Sequence, residues 1–488
     1  MRRRAGSVAM RTFLQVLSED ERTQIHERSL DVLARVGMRV DTAEGRRALA
    51  AAGAEVDEAT RIVRFPPALV TEALRLAPKR FALGARRPGW SIPMNAGQAA
   101  LVMSGEATHV LDAATGELRP STRADWLEAT RLIDAIDEIA VYWATVEGGG
   151  MGDGCAADWV AYNTDLQRAF SKHIQDSWLD PVWSPWVLDV LDIVFGGRDE
   201  VRRRHPYSFL ITPVSPLVID AGCTDSWLAL RGWDIPVAVL PMPMMGTTAP
   251  GSLVATVLLA AIETLGMLCL TQAAEPGTPF ICAALPVGMD PRSGRYTSNT
   301  FHPVLSAACT EMARFYGLPV MGSGNGTDAF IPGAQTGYEK TLSSLVGSLA
   351  GPDLLVGPGS LGGAMIFNLE QVLVDVEIFR MCEYGRRGIP VSDDLWLDDA
   401  IARVGPGGNF MSERTTRANL RAGEWFHPGL GVRDSYDAWD AAGRPSLLGE
   451  SRRRADELLA GREELPLGED VERALADLLR RAREANAT

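Results

Sequence analysis

The chain has 488 residues, 62 acidic against 48 basic, and a formal net charge of −14. With 46% hydrophobic and 23% charged residues, it has the composition of a folded globular protein, which excludes wholesale disorder. The acidic balance argues against a role coating nucleic acid or a polybasic membrane surface.

Lysine is scarce. Lys79, Lys172 and Lys340 are the only three, so an imine-forming mechanism has three candidates. The six cysteines include no CxxC pair, which points to free thiols in a reducing, cytoplasmic compartment. The six histidines form neither HxH nor HExxH, so no metal site of the chain's own is expected. The basic start has an apolar stretch broken by Arg11 and no cleavage signal, unlike a secretory leader.

The first part of the chain reads as helix-rich. Ser18 with Glu21 forms a capping box, Ile25, Leu30 and Leu33 share a face, and Gly37 stops the helix. A second helix is expected over 42–52 and a third after Pro66-Pro67, with a short strand over 61–65. Thr122 with Asp125 opens another amphipathic helix.

Apolar strand-like runs then recur about every 35 residues. They cover 139–147, 172–179, 207–214, 236–244, 279–288, 319–324 and 354–359, with helical segments between most of them. This alternation predicts a parallel sheet. Seven repeats without a duplicated glycine-rich fingerprint favour a (β/α)8 TIM barrel over a doubly wound sheet. The eighth strand falls either at Gly388–Asp393 or before residue 120. The apolar run Leu253–Ala274 has Glu263 at its centre, which favours a buried core helix over a membrane span. The expected organisation is a helix-rich segment over 1–120, the barrel over 121–411 and a C-terminal helical extension over 412–488.

A TIM barrel places its active site at the C-terminal ends of the strands. The candidates there are Glu147 with Gly148-Gly149-Gly150, Asp176, Pro213 to Ser215, Met242 to Met245, Asp290, Asn325 to Asp328 and Gly357 to Gly359. Trp143 and Trp178 are the two tryptophans expected near the mouth. The glycine-rich EGGGMGDG and GSGNGTD match neither GxGxxG nor a P-loop. No GxSxG elbow, catalytic-cysteine signature or zinc ligand set is present, so the nucleophile of any enzyme here comes from outside the chain.

Several stretches carry a resemblance to one family. They are ERSLDVLARVGMRVDT, VSPLVID, PMPMMGTTAPGSL, TQAAEPGTPF with MDPRSGRY, and above all GTDAFIPGAQTGYEKTL and VGPGGNF. In collinear order over about residues 18–460, the chain resembles the trimethylamine methyltransferase family of corrinoid-dependent methyltransferases. The resemblance implies a TIM barrel that moves a methyl group from a methylated amine to cobalt(I) on a separate corrinoid protein. Founding members use pyrrolysine, whose equivalent region falls within Ser323–Gln335 here. No non-standard residue appears, which is similar to the non-pyrrolysine branch acting on quaternary amines such as glycine betaine. The segment SNTFHPVL departs from the family pattern, with Phe301-His302 where the family carries an acidic residue. The corrinoid-protein signature DxHxxG is absent, so the corrinoid is expected on a partner and none is bound permanently.

The resemblance and the strand-end positions together give the expected site. Glu147, Asp176 and Asp328 are the catalytic candidates, with Glu147 and Asp176 facing the cation. Trp178, Asn325, Gln335 and Tyr338 are the substrate-binding candidates. Met244, Gly246 and Gly359 are the candidates for a face towards the corrinoid. The expected partners are a corrinoid protein, a small methylated amine and further copies of the chain, with neither nucleic acid nor membrane. Two other readings fit the same sequence: transfer from another N-methyl or O-methyl metabolite to a different acceptor, and a quaternary-amine-binding protein without turnover.

Overall fold

The computed structural model describes residues 14–97, 99–112, 115–147, 154–297, 302–421 and 423–486. Eight parallel strands form the central sheet: β1 (Ala100–Val102), β2 (Ile139–Tyr142), β3 (His173–Asp176), β4 (Tyr207–Ile211), β5 (Val237–Val239), β6 (Phe280–Cys282), β7 (Met321–Ser323) and β8 (Leu354–Val356). β8 pairs with β1, and a parallel bridge between Cys282 and Val320 joins β6 to β7, so the sheet closes. All seven strands expected from the sequence are present. The eighth is β1, which precedes residue 120; Gly388–Asp393 lies outside the barrel and leads into the 3-10 turn Asp393–Leu395.

That strand moves the boundaries. The barrel unit starts at Ala100 rather than 121, and its last helix, Leu369–Arg386, ends well before 411. The sequence hides β1 because it is three residues long and follows a small hairpin, Ala82–Gly84 with Ser91–Pro93.

Side chains alternate across each strand. Val102, Val141, Leu210, Ala238, Ile281 and Met321 fill the barrel interior. Leu101, Tyr142, Ile174 and Phe209 face the helical layer. Helices Arg123–Asp134, Ala156–Ala169, Ser184–Phe195, Gly222–Leu228, Leu253–Ala274, His302–Phe315, Ala334–Ala350 and Leu369–Arg386 follow the eight strands in turn. Both sequence-read capping boxes form, at Ser18–Glu21 and Thr122–Asp125.

The N-terminal helices Glu19–Arg35, Ala43–Ala51 and Pro67–Leu76 pack over helix Leu253–Ala274. This explains why that helix is apolar all round: barrel covers one side and the N-terminal unit the other. It is long and apolar enough to cross a membrane, but 78% of its apolar window is buried inside the protein. Its central Glu263 accepts hydrogen bonds from the Ser215 hydroxyl (2.8 Å) and the Leu217 amide (2.9 Å), tying the loop after β4 to the helix. At the other end of the chain, Leu475, Leu478 and Ala482 of helix Glu469–Asn486 bury against Val160 and Val190 of the barrel helices.

Candidate active site

The loops after β1 and β2 zip together beyond the barrel. The Glu106 amide donates to Ala144 O (2.7 Å), and the Glu147 amide donates to Ala107 O (2.8 Å). This pairing sets two carboxylates side by side at the mouth. Both are accessible to water, yet protein surrounds Glu106 closely enough for burial to raise its carboxyl pKa, with the Glu147 charge adding to the rise. Glu106 holds a left-handed backbone (φ +53°), a conformation that costs energy for a residue with a Cβ and fixes its direction. The sequence gives no hint of Glu106 once β1 is missed.

Trp143 stands beside this pair, half-buried. A Cβ on Gly105 would lie 2.5 Å from the indole Cε2, so only glycine lets the ring sit there. Trp143 is thus near the mouth as expected. Trp178 is not. It is 3% exposed, its indole N–H donates to Ser184 Oγ (2.9 Å), and it packs edge-on against Phe209 at 4.6 Å between ring centres. Those neighbours leave it in the core behind the wall, with no free face for a substrate.

Asp176 also faces the other way. The preceding Gln175 reaches Met321 Sδ across the barrel interior (3.7 Å), so alternation turns Asp176 outward beneath helix Ala156–Ala169. There it lies among Tyr142, Tyr162 and Tyr207. Burial raises its pKa to about 7, and Glu106 adds to the rise. Its Oδ2 is buried without a hydrogen bond of normal geometry, and the nearby Tyr162 hydroxyl opposes only a small part of the rise. Asp176 therefore does not line the mouth, and its link to it is the Glu106 charge that adds to its rise. Among the described residues, no ion pair forms at Glu106, Glu147 or Asp176.

The opposite wall is built by β6, β7 and the helix Ala334–Ala350. Glu339 organises it: its carboxylate accepts from the Thr327 hydroxyl (2.6 Å), the Asp328 amide (2.9 Å) and the Gln335 amide side chain (3.0 Å). Thr297 Oγ1 donates to Asp328 (2.5 Å). Ser344 holds Asn325 by accepting from its amide (3.0 Å) and donating to its Oδ1 (2.8 Å). Asn325 Nδ2 is buried without a partner. The stretch GAQTGYEK is thus a clamp on the β7 loop, which is a physical reason for its specificity. Gln335 serves that clamp, and Tyr338, 64% exposed, faces solvent on the helix and does not wall a pocket.

The three lysines are all engaged. Lys340 pairs with Asp375 (2.7 Å), both fully buried, and Asp375 also accepts from the Gly359 amide (2.8 Å). A Cβ on Gly359 would meet Phe367 and Val372 at 2.7 Å. Gly359 is therefore a packing position closed by neighbours, not a face for a cofactor. Met244 is half-buried in the rim after β5, and Gly246 (φ +93°) turns the chain there. Lys172 caps three backbone carbonyls and Lys79 caps two, which leaves no free amine for an imine.

His302 lies under the β6–β7 wall. Its Nδ1 bonds Pro286 O (2.8 Å) and its Nε2 bonds Ser323 Oγ. Burial lowers its pKa, so it is neutral; a proton on Nδ1 then donates to the carbonyl, and Ser323 donates to Nε2. Gly148–Gly150 and Phe301 lie outside the described residues. Among the described residues no group of three or more His, Cys, Asp or Glu is placed to hold a metal ion.

The mouth of this barrel can accept a cation: Trp143 and two carboxylates converge there, and among the described residues no basic side chain pairs with them. The sequence profile of the trimethylamine methyltransferase family matches residues 6–487. The chain is 30% identical over 467 residues to the trimethylamine methyltransferase MttB of Methanosarcina barkeri, covering 94% of this chain and 93% of that one. It is 30% identical over 466 residues to MttB of Desulfitobacterium hafniense, covering 95% and 92%. Identity to the glycine betaine methyltransferase of Desulfitobacterium hafniense is 27% over 431 residues, covering 87% and 88%. The crystal structure of the monomethylamine methyltransferase MtmB of Methanosarcina barkeri superposes with a TM-score of 0.50 at 12% identity over 95% of this chain and 92% of that one, which supports the barrel fold. The chain belongs to the trimethylamine methyltransferase family and is a methyltransferase.

Proposed function

We propose that the chain moves a methyl group from a quaternary or tertiary methylated amine, of betaine type, to cobalt(I) of a corrinoid carried by a separate protein in the cytoplasm. One observation carries the substrate class: Glu106 and Glu147 stand together beside Trp143 at the barrel mouth, with no basic side chain paired to them among the described residues. A trimethylammonium group supplies the missing charge. It offers no N–H, so it is held by an aromatic face and by nearby negative charge rather than by hydrogen bonds.

The chemistry matches these groups. A quaternary amine leaves as a neutral tertiary amine, and a tertiary amine that enters as its protonated cation leaves as a neutral secondary amine, so no general acid of the chain is required. The positive charge disperses in the transition state, so tight ion pairing would stabilise the substrate more than the transition state. Water-accessible carboxylates and an indole hold the cation less tightly, with a cation–π contact contributing about 0.5–2 kcal/mol. Rigidity comes from the Glu339 clamp and the paired β1 and β2 loops, which orient the substrate for in-line transfer.

The rim suits an incoming apolar macrocycle. Met242, Phe330, Ile331 and Met365 are exposed large apolar side chains on the β5, β7 and β8 loops. When present, the reduced corrinoid supplies the nucleophile that this chain lacks. Calorimetric titration with glycine betaine and other quaternary amines tests the binding half. Saturable binding is expected, weakened in both Glu106→Gln and Glu147→Gln. Unchanged affinity in both variants would remove the basis of this reading.

A further inference from the structure

At the N-terminal end of the barrel the layer beneath the strands carries more positive than negative charge. Three guanidinium groups gather there around a single carboxylate. Asp134, 1% exposed, ends helix Arg123–Asp134. Its Oδ1 accepts from the Ser171 amide and hydroxyl (both 2.8 Å). Its Oδ2 is shared by Arg462 Nε (3.3 Å) and Arg87 Nη2 (3.8 Å). The Lys172 ammonium lies next to this group and adds to its charge. Of the two other acids that act on Lys172, Glu138 is bound to Arg380 (2.7 Å) and Asp137 is exposed.

Arg86 is the third guanidinium. It sits on the hairpin Ala82–Gly84 with Ser91–Pro93, which closes this end of the barrel. The Gly84 amide donates to His205 O (2.9 Å) and the Arg87 amide to Ser171 O (2.7 Å). Arg86 forms no ion pair among the described residues, and its Nε and Nη2 are shielded from water without a hydrogen-bond partner. These two atoms share one edge of the group, the fork that donates to two oxygens of a carboxylate or phosphate at once. The chain uses that fork elsewhere: Arg75 on Glu72 (2.7 and 2.6 Å) and Arg380 on Glu138 (2.7 and 2.8 Å).

Burial lowers the Arg86 pKa most, Arg462 and Arg87 add to the fall, and Asp134 opposes it. Cations held together in this way call for an anion. Water would meet the donors and leave the charge uncompensated. Three guanidiniums against one carboxylate leave two positive charges, which a tetrahedral dianion matches in charge and in the number of its oxygens. Arg462, its side chain 7% exposed, links the cluster to a cleft of about 280 Å³ that also has Arg123, Arg131 and Arg168 on its wall.

We propose that Arg86, Arg87 and Arg462 bind a small phosphate-type oxyanion at the N-terminal end of the barrel, with the Arg86 Nε–Nη2 fork as its main contact. The ion ties the closing hairpin to the segment between helices Leu447–Ala460 and Glu469–Asn486. It lies at the end opposite the mouth and takes no part in methyl transfer.

Thermal unfolding and calorimetric titration of the full chain with inorganic phosphate, against chloride at equal ionic strength, test it. The wild type is expected to bind phosphate saturably and to melt higher in its presence. Arg86→Lys keeps the charge and loses the fork, and Arg86→Gln loses both. Each should weaken phosphate binding at least about tenfold. Arg75→Gln, in an exposed ion pair, should leave it unchanged. The readout is the shift that phosphate causes, so a variant that is merely less stable still reports. Equal melting of the wild type in phosphate and chloride overturns the proposal, since that is the outcome if water alone meets the fork. An equal shift in the wild type and both Arg86 variants also overturns it, and means general screening of charge. Adenosine monophosphate should bind more weakly than phosphate; tighter binding overturns the free-ion reading and assigns the fork to a phosphate on a larger molecule.

Discussion

At the N-terminal end of the barrel, the Lys172 ammonium donates to the carbonyls of Ile133 (3.1 Å), Ile136 (2.5 Å) and Ile139 (2.6 Å). His173 beside it uses both nitrogens, on Gly84 O (3.0 Å) and Ser208 Oγ (2.9 Å). At the C-terminal end, Asp176 Oδ2 and Asn325 Nδ2 are buried without partners, and Glu106 and Asp176 are both raised by burial and by a neighbouring carboxyl. The same strands thus run from a satisfied end to a frustrated one. Satisfied polar groups stabilise the fold, and buried unsatisfied ones cost stability. Changes at the first end should therefore lower stability and spare activity, and changes at the second should do the reverse.

The largest effect is expected at the satisfied end. Lys172→Met takes the ammonium away from three buried carbonyls, of which those of Ile133 and Ile136 keep a backbone donor, and should cost about 3 kcal/mol of unfolding free energy. Activity per folded molecule should be unchanged. Denaturant unfolding alongside initial rates checks both, and a loss of rate equal to the loss of stability would erase the contrast.

Asp176→Asn should act in the opposite sense. Its folded pKa, about 7, lies above its ordinary value of 3.8, so the fold prefers the neutral acid. That contribution is complete below about pH 4 and is lost as the pH rises through about 7. Glu263, also raised to about 7 by burial, titrates in the same window. The difference between wild type and variant isolates Asp176. The variant should be more stable at pH 8 by about 2–4 kcal/mol. Parallel stability curves for the two proteins from pH 5 to 8 would contradict the assignment.

Glu106→Gln removes a carboxylate at the mouth while keeping its shape. Affinity for a quaternary amine should fall about tenfold, or about 1.4 kcal/mol, with a melting temperature no lower than the wild type's. Burial and Glu147 both hold the Glu106 pKa up in the free protein. A bound cation favours the ionised form, so affinity should rise with pH and binding should release protons. Equal heats of binding in buffers of different ionisation enthalpy would show that no proton is released.

The smallest effect is expected at the aromatic wall. Trp143→Leu should weaken binding of a quaternary amine by about 0.5–2 kcal/mol and leave a neutral isostere bound equally well. Equal losses for both ligands would mean that the indole acts as shape rather than as a cation partner.

Much of this architecture is legible in the sequence, and the gaps have physical causes. The capping boxes, seven strands and the buried nature of Leu253–Ala274 all follow from periodicity and local chemistry. The direction of Asp176 does not, because one step of register in a four-residue strand reverses every side chain. Trp178 follows its backbone into the core for the same reason. Glu106 is hidden behind an unrecognised strand, and Glu339 acts through loop contacts that only the folded chain brings together. Gly359 sits at a strand end, as sequence reasoning requires of a site residue, but its amide and its open face are both used internally.

The central claim is the transfer itself, and the absorbance of a reduced corrinoid measures it directly. Purified enzyme is mixed with cobalt(I) corrinoid and a panel of quaternary amines, with trimethylamine as the comparison. Conversion of cobalt(I) to the methylated cobalt(III) product with at least one quaternary amine, abolished in the Glu106→Gln/Glu147→Gln double variant, is the result predicted here. No conversion with any quaternary amine, or full conversion by the double variant, would contradict it.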